Sequence, residues 1–88
     1  VVQYAVLLIM IAQVSGFKAG ELVHVIADAH LYDRHLPIVE KIIGNEPKPA
    51  PRLIVDASVK DFYDFTADSF RLENYEYTPL DVKIPVAI

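Results

Sequence analysis

The densest chemistry in this sequence is Asp28-Ala29-His30-Leu31-Tyr32, followed directly by Arg34 and His35. In an extended segment successive side chains point to opposite faces. Asp28, His30 and Tyr32 therefore share one face, roughly 6.5–7 Å between successive members. An imidazole and a phenol at that spacing can both reach one ligand hydroxyl, each donating or accepting as needed. A sugar or nucleoside is a natural target. A plainer arrangement also fits, in which His30 and Tyr32 satisfy each other or nearby backbone at a strand end. Metal ligation by Asp28, His30 and His35 is a third reading, but the spacing follows no common zinc pattern, and no metal is expected. His24 lies on the same face near its apolar end and suits a core or surface role. Arg34, at a helix start, can meet a phosphate, a carboxylate or water.

These residues need elements to hold them. Residues 21–32, ELVHVIADAHLY, alternate as a strand. One face carries Val23, Val25, Ala27, Ala29 and Leu31. The other begins with Leu22 and ends in Asp28, His30 and Tyr32, like a wall that runs from core into a polar pocket. Asp33 is placed to cap a helix reaching about Ile43, with Gly44-Asn45 ending it. Pro37 fits only its first turn, where amide protons lack partners anyway. Leu36, Val39 and Ile43 form its inward stripe. Residues 46–51, EPKPAP, make a stiff extended connector. A short strand follows at residues 53–55, then a turn at 61–65, a turn capped by Thr66, and a strand at 70–75. Residues 82–88, interrupted by Pro85, can form at most an edge strand.

The opening VVQYAVLLIMIAQV holds only Gln3, Tyr4 and Gln13 as polar interruptions, and no charge precedes Lys18. A membrane span needs about 20 apolar residues, and this run falls short of that. A signal peptide would carry a basic start and a small-residue cleavage site, and both features are lacking. The remaining reading is a buried helix, stopped by Gly16 in a left-handed cap. Its apolar residues lie on every side, so it needs a shell of neighbours larger than the other residues can supply. The expectation is a piece of a larger α/β (α+β) protein: a buried hydrophobic helix plus strands of a mixed sheet.

Composition narrows the function classes. The chain has 88 residues, room for one small domain or part of one. It is 53% hydrophobic and 23% charged, with a mean hydropathy of +0.30, too apolar for disorder. Eight basic against twelve acidic residues give a net charge of −4, without the basic surplus of a general nucleic-acid binder. Phe62, Tyr63, Phe65 and Phe70 suit a satellite core better than a base-stacking platform, because no basic residues interleave them. With no cysteine, these residues hold no thiol nucleophile, disulfide or thiolate metal site. Phosphate-loop, dinucleotide, serine-hydrolase and HExxH patterns are missing.

In order along the chain, Tyr4-Ala5 with Met10-Ile11-Ala12-Gln13, then Asp28-Ala29-His30-Leu31-Tyr32 and His35, resemble the C-terminal third of thymidylate synthase. The family reads SYALLxxMIAQ on a buried helix and GDxHxYxNH on a strand entering the next helix. Glu46-Pro47-x-Pro49-x-Pro51-x-Leu53 is similar to its REPRPxPxL stretch. Asp64-Phe65 with Asp68-x-Phe70-x-Leu72-x-x-Tyr75 is similar to DFxxxDFxIxxY, and Pro85-Val86-Ala87-Ile88 to its terminal PVAI. The matches span nearly all 88 residues. Departures are Ala27 for a usual Gly, Arg34 for a usual Asn, and Ile9 for a frequent polar or basic residue.

The resemblance implies that residues 1–88 are the C-terminal segment of one catalytic domain of a thymidylate synthase fold. Its reaction is the reductive methylation of dUMP to dTMP, with 5,10-methylenetetrahydrofolate giving the one-carbon unit and the hydride. His30 and Tyr32 would bind the 3′-hydroxyl of the deoxyribose. Val86, Ala87 and Ile88 would belong to a tail that closes over the folate and excludes water. The family works as a cytoplasmic homodimer with neither membrane nor nucleic acid required. Its cysteine nucleophile, phosphate-clamping arginines and uracil-reading asparagine precede the position of Val1, so the 88 residues alone are expected to be inactive. Two alternatives are a piece of a pyrimidine nucleotide hydroxymethylase and a non-catalytic, self-associating module.

Overall fold

The computed structural model describes residues 1–86. Helix α1 (Val2–Val14) is followed by irregular chain, a 3-10 turn (Asp33–His35) and helix α2 (Leu36–Ile43). Strand β1 (Arg52–Val55), 3-10 turns at Phe62–Asp64 and Ala67–Ser69, and strand β2 (Phe70–Glu73) complete the order. The two strands form an antiparallel pair, with Arg52 opposite Glu73 and Val55 opposite Phe70. Helix and sheet together give the expected mixed α and β architecture. The sheet among the described residues is antiparallel and two-stranded, not mixed.

Helix α1 ends as its sequence requires. Gly16 takes φ +72°, the left-handed conformation that a side chain disfavours. The Phe17 amide then donates to the Ala12 carbonyl at 2.8 Å and the Gly16 amide to Gln13 at 3.3 Å, satisfying carbonyls the helix would otherwise leave open. Gln13 is the helix's anchor. Its Nε2 donates to the carbonyls of Asp56, 2.9 Å away, and Val59, 3.0 Å away. The Asp56 amide donates to the Ser69 carbonyl at 2.8 Å, tying the end of β1 to the start of β2. Thr66 and Ser69 close the turn between them reciprocally: Thr66 N–H donates to Ser69 Oγ, and Ser69 N–H to the Thr66 carbonyl, both at 3.0 Å. The buried residues Ala12, Val59 and Ser69 all belong to this corner.

The expected burial of α1 is not met within these residues. Only Ala12 is buried, while Val2, Tyr4 and Ile11 are exposed. A helix that is apolar all round needs neighbours all round, and the corner covers one side. The same shortage appears in the totals. The accessible surface is 7804 Å², against roughly 5,200 Å² for a compact monomer of this mass. The radius of gyration is 16.8 Å, against about 12 Å for a closed domain of this length.

Four further expectations are corrected. Residues 21–32 form no strand, because strands exist by pairing and no neighbouring strand lies beside them among the described residues. Asp33 caps nothing: it is the first residue of the 3-10 turn, and no side chain caps α2. On α2 the half-buried residues are Ile38 and Val39, whereas Leu36 and Ile43 are exposed. Strand β2 stops at Glu73 and not at residue 75, since Asn74 turns left-handed at φ 55°. Pro37 does sit in the first turn of α2, and Gly44 ends that helix in right-handed geometry at φ −70°.

Candidate functional site

Residues 20–34 are all exposed. Their arrangement comes from local geometry. The chain bends at Ala27-Asp28 and reaches Tyr32 in an extended conformation, φ −81° and ψ 142°. There the 3-10 turn begins, with the His35 amide donating to the Tyr32 carbonyl at 2.8 Å. In a 3-10 turn residues three apart eclipse, which carries His35 over Tyr32.

The outcome is a row of three rings. His30 and Tyr32 meet edge to face, their centroids 5.4 Å apart at 88°. Tyr32 and His35 do the same at 5.6 Å and 84°. The period-two argument thus holds for His30 and Tyr32, which lie side by side although no ladder forms. Asp28 joins them through its backbone: His30 Nδ1 lies 2.9 Å from the Asp28 carbonyl and 3.4 Å from the Asp28 carboxylate. A carbonyl can only accept, so Nδ1 carries a proton, and in the neutral ring Nε2 keeps its lone pair. The pair then offers a ligand hydroxyl an acceptor at His30 Nε2 and a donor or acceptor at the Tyr32 phenol.

Arg34 and His35 contact the tail. His35 Nε2 donates to the Pro85 carbonyl at 2.7 Å, and Arg34 Nη1 to the Val86 carbonyl at 3.3 Å. Among the described residues no three His, Asp or Glu side chains cluster closely enough to hold a metal ion. Of the lid residues expected from the sequence, Val86 is exposed, while Ala87 and Ile88 lie outside the described residues. Sequence reasoning missed the tail contacts of Arg34 and His35. The available signal was the replacement of a short Asn by a long Arg beside His35. It also treated Gln13 as a mere interruption, although a lone amide in an apolar helix must find a partner.

The described residues form an α+β scaffold in which an extended segment ends in an imidazole–phenol pair. The comparisons say which family builds it. A family model described as thymidylate synthase matches residues 1–88, and the chain belongs to that family. Among solved structures it is similar to the thermostable thymidylate synthase A from Bacillus subtilis. Sequence identity is 43% and the TM-score 0.91, over 98% of this chain and 31% of that one. The chain therefore spans about a third of the length of this relative.

Proposed function

We propose that these residues are the C-terminal segment of the catalytic domain of a thymidylate synthase, and that the complete protein converts dUMP to dTMP. Bound 5,10-methylenetetrahydrofolate would supply both the one-carbon unit and the hydride. The residues present here serve binding and enclosure. His30 and Tyr32 hydrogen-bond the 3′-hydroxyl of the deoxyribose, with His30 Nε2 accepting its proton and the Tyr32 phenol donating to its oxygen. Val86, Ala87 and Ile88 belong to the segment that covers the folate.

The observation that carries this reading is the edge-to-face contact of His30 and Tyr32, with the His30 tautomer set by the Asp28 carbonyl. Family membership supports the choice of reaction. The protein would act in the cytoplasm as a homodimer. The chain's surface excess of roughly 2,600 Å² over a compact monomer is of the size that obligate interfaces bury. That surface would meet the rest of the domain and the partner subunit.

The test compares dUMP with its 3′-deoxy analogue in the complete protein. Two hydrogen bonds at about 1 kcal/mol each set the expectation. The His30→Ala, Tyr32→Ala double variant should bind dUMP about 30-fold more weakly and lose its preference over the analogue. Unchanged dUMP affinity, or equal losses for both ligands, would remove the sugar-site assignment. Dihydrofolate formed one for one with product separates reductive methylation from hydroxymethylation, which leaves tetrahydrofolate.

A further inference from the structure

We infer that Arg34 and His35 are positioning residues that hold the tail's main chain against the sugar-recognising rings. This rests on the reading that His30 and Tyr32 bind the nucleotide and that the tail covers the folate. Two adjacent side chains reach two adjacent carbonyls: His35 takes Pro85 at 2.7 Å and Arg34 takes Val86 at 3.3 Å, across 50 and 52 residues of sequence. The 3-10 turn that sets His35 edge to face with Tyr32 also brings its Nε2 to the tail.

The chemistry of the tail explains why side chains do this. Pro85 has no amide proton, so the tail cannot continue a ladder of backbone bonds through that residue. Its carbonyl remains a good acceptor, and an imidazole N–H meets it. Arg34 stands where the family usually has Asn, and its longer side chain reaches one residue further along the tail. A continuous row results: His30, Tyr32, His35, then the Pro85 carbonyl.

The experiment uses the complete protein and two readouts. The first is the rate at which carboxypeptidase trims the tail without any ligand. His35→Phe keeps an aromatic edge for Tyr32 but removes the donor, while His35→Gln keeps an N–H donor. Losing one hydrogen bond should make trimming about fivefold faster in the Phe variant, with Gln restoring the slow rate. Arg34→Ala, at an exposed position, should give a smaller increase of about twofold, in keeping with its longer bond. The second readout is kinetic. The Phe variant should raise KM for the folate several-fold and leave dUMP affinity within twofold.

Trimming at the wild-type rate in the Phe variant, or a Gln variant that behaves like Phe, overturns the proposal. A loss of dUMP affinity equal to the loss for folate also overturns it, since the tail would then have no separate role. Trimming needs no substrate, so its result stands whether or not the protein methylates dUMP. Failure of the latch is thereby distinguished from failure of the functional reading.

Discussion

Two regions of this molecule carry similar numbers of polar residues and use them in opposite ways. In the corner formed by the end of α1, the Asp56–Val59 turn and the two strands, polar groups are tied to partners within the corner. Gln13 holds two carbonyls, Asp56 holds Ser58, and Thr66 and Ser69 hold each other. In the limb formed by residues 20–35 and the tail, His30 and Tyr32 keep their polar tips open, and side chains meet the chain 50 residues away. The corner supplies its own partners. The limb is shaped locally and is exposed throughout residues 20–34. A segment that leaves its hydrogen-bonding capacity unused contributes little to its own stability.

The sharpest way to break that contrast is Gln13→Ala. The Val59 carbonyl would lose its side-chain donor and the Asp56 carbonyl would keep only the Val59 amide, at about 1 kcal/mol per bond lost. The expected loss is about 2 kcal/mol in urea denaturation of the complete protein. Gln3→Ala, on the exposed first turn of the same helix, should stay within about 0.5 kcal/mol. Equal effects at the two glutamines would mean that helix composition matters and the corner does not.

Glycine gives a second, smaller test. Gly16 is left-handed, and a Cβ added there meets no atom within 4 Å. Gly16→Ala therefore changes backbone strain alone and should cost about 1 kcal/mol. Gly20, in the limb, also has open space around it and has no positive φ. Gly20→Ala should leave the denaturation midpoint unmoved. A measurable loss at Gly20 would show that the limb has a conformational demand of its own.

The same contrast explains what the sequence discloses. The end of α1 was legible because Gly16 and the apolar run before it are local signals. So was the Thr66 turn, and so was the pairing of His30 with Tyr32, which needs only period-two geometry. The strand expected over residues 21–32 was read from its alternation, which describes faces but says nothing of a partner. Without a neighbouring strand the pattern survives and the element does not. The contact of His35 with the tail was invisible for a related reason. A hydrogen bond between His35 and the carbonyl of Pro85 leaves no trace in residue types, because every residue has a carbonyl.

The smallest expected effect concerns Asp56. The hydroxyl and the amide of Ser58 both donate to its carboxylate, at 2.7 and 2.9 Å, and hold its pKa below the ordinary aspartate range. A carboxyl whose folded pKa is depressed stabilises the fold in its ionised form. That contribution is complete above about pH 4 and is lost as pH falls through the lower folded value. Asp56 is fully exposed, so water screens much of the gain and the effect must be slight. Ser58→Ala removes the hydroxyl and leaves the amide. It should raise the Asp56 pKa toward the usual value, seen by NMR titration of its carboxyl carbon, and make the acid-side loss of stability smaller and complete at a higher pH. At neutral pH, where that contribution is complete, the midpoint should fall slightly, because part of the contribution has gone and water screens what the exposed carboxylate gains. An Asp56 that titrates identically with and without the Ser58 hydroxyl would show that the turn is held by backbone alone, and the corner would then owe its order to Gln13 and the strands.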